Sequence, residues 1–149
     1  MTNTDITCKP SSTYTYDCSG SYPVDYYSAI YIVKTSQDIT IDSTSNSFSK
    51  CFKATNGGIF NLDPGSADII FEDSLSSYNE IGVDGKGGAF YGKTNCNELS
   101  FSDTTYDKIS SCSDGGVFYA KITDTSFSMT NIKVTNTKTN SNGGFAFLE

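Results

Sequence analysis

The stretch GKGGAFYGK (85–93) sets two adjacent glycines against two aromatics. A glycine pair loses more backbone freedom on folding than other dipeptides, so strand and helix interiors normally avoid it. This chain uses the pair four times, in NGGIFN (56–61), GGAFYG (87–92), GGVFYA (115–120) and GGFAFL (143–148). The first glycines, Gly57, Gly87, Gly115 and Gly143, are spaced 30, 28 and 28 residues apart. A fixed period of this size is the signature of a repeat architecture, and it governs how the other residues are read.

Aligned on the glycine pairs, a second column comes into phase: QDITID (37–42), ADIIFE (67–72), ELSFSD (98–103) and SFSMT (126–130). Each holds apolar residues two apart, Ile39/Ile41, Ile69/Phe71, Leu99/Phe101 and Phe127/Met129, which is the alternation of a half-buried strand. Equal phase predicts an interior ladder in which Phe101 lies between Phe71 and Met129. A second strand follows each glycine pair, with Phe60, Phe90 and Phe118 on one face and Asn61, Tyr91 and Tyr119 on the other. The Phe column is assigned to the core and the Tyr column to solvent, where a phenol edge tolerates water. A third column holds Phe48, Tyr78, Tyr106 and Val134, followed three residues later by Cys51, Ile81, Ile109 and Thr137.

No repeat contains a helical stretch with a 3.6-residue apolar period. A unit of short strands this thin cannot bury its own apolar face and must stack on its neighbours. The expected fold class is therefore all-β, a solenoid of about 28–30 residues per coil. The pairs Gly57–Gly58, Gly87–Gly88, Gly115–Gly116 and Gly143–Gly144 are assigned to corners, where positive φ or close backbone approach excludes a Cβ. Residues 1–28, with the turn-rich run CKPSSTYTYDCSGSYPVDYY (8–27), do not fit the repeat and are read as an irregular N-terminal cap or first coil. Residues 29–149 are read as the β-helix repeats. The last repeat has only begun at GGFAFLE (143–149), so the chain is expected to be part of a longer one.

Composition removes most other classes. The net charge is −7, and the ten cations, all lysine, form no basic stripe, which disfavours nucleic acid. The chain has no His, no Arg and no Trp. The usual general base, the commonest transition-metal ligand and the bidentate anion clamp are all missing. No apolar run is long enough to span a membrane, and the N-terminus lacks the basic and apolar regions of a signal peptide. No Asn-x-Ser/Thr sequon occurs, so N-linked glycans are excluded.

Among the five cysteines, Cys8 and Cys18 are the leading disulfide candidates, and Cys96 with Cys112 forms a second candidate pair. Cys51 shares a column with Ile81 and Ile109 and is read as a buried thiol. Asp42, Asp73 and Asp103 fall at or beyond strand ends, and a stacked row of them would repel and splay into solvent. GVDGKGG (82–88) is superficially like calcium-binding glycine-aspartate repeats, but it does not recur, and ordinary turn glycines are the preferred reading. No catalytic residue, cofactor site or metal site is assigned. Tyr91 and Tyr119 are the candidate glycan-stacking residues.

GGAFY and GGVFY, followed by a strand such as LSFSD, resemble the Gly-Gly-Ala-Ile repeats of right-handed parallel β-helix surface proteins. Chlamydial polymorphic outer-membrane proteins and repeat-rich surface proteins of protists are examples. The resemblance covers roughly residues 29–148 and implies that the solenoid is a right-handed parallel β-helix, pectate-lyase-like, on a cell surface or in an extracellular assembly. The expected function is a non-catalytic structural or adhesive scaffold, in a filament or surface layer, whose subunits self-associate head to tail. The alternative is a carbohydrate-binding or carbohydrate-cleaving β-helix, and glycans are its expected partners.

Overall fold

The computed structural model describes residues 1–7, 29–35, 38–65, 69–93, 96–121 and 126–149. After β1 (Asp5–Thr7) the chain passes repeatedly through the same three sheets. One group of strands is β2 (Ile30–Thr35), β3 (Ile39–Thr44), β4 (Ser47–Ser49) and β5 (Phe52–Ala54). The next is β6 (Phe60–Gly65), β7 (Ile69–Ser74) and β8 (Ser77–Val83). Then come β9 (Phe90–Gly92), β10 (Cys96–Ser102) and β11 (Thr105–Ser111). The last are β12 (Phe118–Ala120), β13 (Ser126–Thr130), β14 (Lys133–Thr135), β15 (Lys138–Thr139) and β16 (Ala146–Leu148). No helix occurs among the described residues. All pairings are parallel, and each strand pairs with its equivalents in neighbouring coils. The fold is an all-β parallel solenoid.

The interior is built from like residues stacked on like. Phe60, Phe90 and Phe118 are paired in register, as are Phe48, Tyr78, Tyr106 and Val134. Phe101 bridges the sheets: its ring lies 5.4 Å from Phe71, 5.4 Å from Phe90 and 4.6 Å from Phe118. Burying each such side chain stabilises the fold by about 1.5–3 kcal/mol, before the entropy of ordering it.

The register differs from the expected one in the four-stranded sheet. Leu99, not Phe101, pairs with Phe71, and Phe101 pairs with Asp73 on one side and Met129 on the other. The cause is the connection into this sheet. Phe71 lies eleven positions after Phe60, but Leu99 only nine after Phe90: the connection into Cys96 is three residues shorter than that into Ile69, and the bulge at Cys96/Glu98 restores one. A two-residue slip keeps every side chain on its own face, so the inside–outside assignment survives while the partners change. Asp73, two residues beyond Phe71 and on the same face, thereby shares an interior column with Phe101, Ser43–Asp73–Phe101–Met129.

Each glycine pair divides two tasks between its members. The first glycine takes positive φ, +64° at Gly87, which lets the chain turn into β9. The second permits close approach: a Cβ on Gly88 would lie 2.3 Å from the Gly116 carbonyl oxygen of the next coil. Two further columns take positive φ without glycine. One comprises Ser45, Leu75, Asp103 and Asn131, at the corner between the four- and seven-stranded sheets. The other comprises Lys50, Glu80, Lys108 and Asn136, where the seven-stranded sheet bends and β4 gives way to β5.

At the N-terminal end β1 pairs in register with β4, and Ile6 packs against the core. The Thr4 N–H donates to Asn46 Oδ1 at 2.9 Å. The step from Asp5 to Ser47 is 42 residues, against 30 for the next step, Ser47 to Ser77. Residues 1–7 therefore continue the stack. The rest of the expected cap, residues 8–28, lies outside the described residues.

Candidate functional site

The outer face of the five-stranded sheet carries the two candidate glycan-stacking tyrosines. Tyr91 stacks on Tyr119 with ring centroids 5.3 Å apart and an interplanar angle of 10°, and Tyr119 stacks on Phe147 at 5.6 Å and 5°. The strand register causes this, because Tyr91, Tyr119 and Phe147 are direct partners one strand spacing apart. Tyr91 is half-buried, but Tyr119 is only 5 % exposed, contrary to the solvent assignment for this column. Both faces of the Tyr119 ring are occupied by aromatics, so no sugar face can stack there.

Lys86 completes the cover. Its ammonium lies 4.2 Å from the Tyr119 ring centroid, donates to Tyr119 Oη at 3.1 Å and stands 3.5 Å from Asp114 Oδ2. Tyr119 Oη in turn donates to Glu149 Oε2. The hydrogen bond to Tyr119 holds the Lys86 amine above its ordinary pKa, and that from Ser141 holds the Asp114 carboxyl below its own. A nucleophilic lysine needs the opposite shift. The cluster clamps successive coils together and is not primed for proton or group transfer. Only the positions of Tyr91 and Tyr119 were visible in the sequence. Lys86, four residues before β9 begins at Phe90, carried no local signal.

A second polar cluster is buried at the corner between the four- and seven-stranded sheets. Asp73 is 2 % exposed, and its Oδ2 accepts a hydrogen bond from Tyr78 Oη at 2.8 Å. Ser43, Ser76 and Thr104 surround the carboxyl, whose pKa is raised by burial against the opposing pull of these hydroxyls. Asp73 Oδ1 and Tyr106 Oη have no hydrogen-bond partner. The Tyr78 and Tyr106 rings stack at 4.7 Å beneath Phe48, and burial pushes both phenols well above their ordinary pKa.

The three aspartates do not form the row considered from their spacing. Asp73 points inward, whereas Asp42 and Asp103 are exposed, held by Thr44 and Asn131 respectively. The reason is strand parity: Asp73 shares the face of Ile69 and Phe71, Asp42 lies on the opposite face to Ile39 and Ile41, and Asp103 falls beyond β10 at the positive-φ corner. Two carboxylates flanking a scissile bond are thus not provided by this set. Among the described residues no group of His, Cys, Asp and Glu is arranged to hold a metal. Cys51 is buried as expected, but it is disulfide-bonded and not a thiol; Cys112 is also disulfide-bonded. The expected pairs Cys8–Cys18 and Cys96–Cys112 rest on side chains outside those described. Among the described residues no helix is long and apolar enough to cross a membrane.

No family model, curated protein or solved structure matches the chain.

Proposed function

We propose that the chain is a non-catalytic structural or adhesive scaffold that works outside the cell, in a filament or surface layer of the kind suggested by its likeness to β-helix surface repeats. The observation that carries this reading is the in-register stacking of equivalent residues, coil upon coil, to both edges of the sheets. Such a stack gives a stiff rod whose outer faces repeat at the strand spacing. The disulfide bonding of Cys51 and Cys112 supports an oxidising compartment.

Self-association proceeds head to tail in this reading. One end carries residues 1–7 across β3 and β4. The other presents β13, β14 and β16, each paired on one side, with Phe127, Met129, Ile132, Val134 and Phe145 partly exposed among them. Unlike ends make a heterologous contact, which extends instead of closing. Gly144 allows a clean test. A Cβ at Gly144 meets nothing within 4 Å, whereas at Gly58, Gly88 and Gly116 the carbonyl of the following coil occupies that space. Gly144→Ala should leave the fold intact and shorten or abolish the end-to-end assemblies seen by sedimentation and electron microscopy of the wild-type chain. Monodisperse wild-type monomers at high concentration, or turnover of pectin-like polysaccharides, would overturn the proposal.

A further inference from the structure

Asp73 is the one described carboxyl sealed inside the solenoid. It projects from β7 into the column it shares with Ser43 of β3 and Phe101 of β10. The groups facing it from the adjoining corner and sheet are Ser76, Thr104, Tyr78 and Tyr106. Both phenols are neutral, and no lysine contributes to the surroundings of the carboxyl. The hydroxyl protons of Ser76 and Thr104 are directed elsewhere, to the carbonyls of Ser74 at 3.3 Å and Ser102 at 2.8 Å. Those carbonyls compete with Asp73 for the two protons, which weakens the pull of these hydroxyls on the carboxylate. Tyr78 satisfies Oδ2, and Oδ1 is left without a donor.

An ionised carboxylate in this setting would have no counter-charge and one oxygen unpaired, in a site closed to water, and the hydroxyls of Tyr78, Ser43, Ser76 and Thr104 do not offset that burial. A neutral carboxyl relieves this, because it carries no charge and an Oδ1 hydroxyl becomes a donor. We propose that Asp73 is a protonation-sensitive lock: the folded solenoid holds it as the neutral acid, and its ionisation loosens the corner between the four- and seven-stranded sheets. The sign follows from linkage. The folded acid is weaker than the unfolded one, so its stabilising contribution is complete below the ordinary carboxylate range. It is lost as pH rises towards the folded value. The lock makes the solenoid tightest in acid, opposite to the contribution of a salt-bridged surface aspartate. This inference concerns the interior alone and does not depend on the scaffold reading.

The amide of Asp73→Asn reproduces the neutral acid, with one acceptor for Tyr78 and donors for Ser76 and Thr104. The test combines urea unfolding of wild type and Asp73→Asn across about pH 4 to 8 with infrared spectroscopy of the carboxyl region. The wild-type folding constant should fall relative to the variant by up to about tenfold per pH unit until Asp73 ionises. A carbonyl band of a protonated carboxylic acid should persist in the folded wild type above the ordinary carboxylate range and be missing from Asp73→Asn. Should the variant fail to fold, the wild-type band decides by itself. Absence of that band, or pH profiles that run parallel in the two proteins, overturns the proposal.

Discussion

Gly88→Ala adds one methyl group at a tight seam between coils. Its Cβ would stand 2.3 Å from the Gly116 carbonyl oxygen, 2.5 Å from Ile109 Cγ2 and 3.1 Å from the Ser110 carbonyl oxygen. An ordinary carbon–oxygen contact is about 3.3 Å, so the two coils must separate locally by about 1 Å. The neighbouring hydrogen bonds cannot follow. The Ala89 N–H donates to the Val117 carbonyl at 2.9 Å and the Gly88 N–H to the Gly115 carbonyl at 3.3 Å, and both would pass beyond bonding distance. Two such bonds contribute about 1 kcal/mol each, and disturbed packing against Ile109 adds about 1–3 kcal/mol. Loss of glycine's unfolded-state entropy returns about 0.4–1 kcal/mol. The expected net cost is about 2–4 kcal/mol, a large share of a typical domain's 5–15 kcal/mol. Gly144→Ala changes the same position of the same motif where no atom lies within 4 Å, and should shift stability by less than about 0.5 kcal/mol. Urea titrations followed by far-ultraviolet circular dichroism compare the two. Equal effects would refute the idea that the second glycine exists for inter-coil approach.

Three further expectations follow from the packing. Phe101→Ala should cost about 3–5 kcal/mol, because its ring touches four other aromatics, and Tyr119→Ala about 2–4 kcal/mol, since it removes two ring stacks. A near-zero effect at Tyr119 in the same unfolding assay would return that residue to the solvent face. Leu75 is 61 % exposed at φ +56°, so Leu75→Asn should raise stability by about 0.5–1 kcal/mol; a loss would mean that the leucine makes an apolar contact worth more than the strain. Cys51 and Cys112 cannot bond to each other, since the pairings Phe52–Gly82–Ser110 put two strand spacings, about 10 Å, between their levels. Two disulfides then take four of the five cysteines, and denatured, unreduced protein should titrate with one thiol, whereas three or more would contradict the bonding.

The repeat was legible because it is written in residues whose physics is specific. Gly-Gly marks a turn that no other pair makes well, and Ile39/Ile41 or Leu99/Phe101 mark a strand with one wet face. The partner of Phe101 was not legible. Between Gly92 and Glu98 a two-residue shortening can be placed anywhere without altering which side chains face inward, so alternation alone cannot separate the two registers. The interior position of Asp73, by contrast, follows from alternation alone, since it lies two residues beyond Phe71; it escaped because the alternating stretch ADIIFE (67–72) stops short of it, whereas β7 runs to Ser74. The non-glycine corners escaped notice because Leu75, Glu80 and Lys108 are poor markers of positive φ, although Asp103, Asn131 and Asn136 in the same columns are favourable there and were a usable signal. Tyr119 looked exposed because strand parity says nothing about what a lysine and a glutamate from neighbouring coils will cover. Its burial belongs to the stack, not to the strand.

The central claim is that equivalent segments stack in parallel and in register, with coil steps of 30 residues and then 28. Inter-strand nuclear Overhauser contacts on isotopically labelled protein test it most directly. Leu99 should show backbone contacts to the neighbourhoods of both Phe71 and Phe127, and Phe101 to those of Asp73 and Met129. Contacts pairing Leu99 with Ile69, or an antiparallel pattern at any of these strands, would contradict the account.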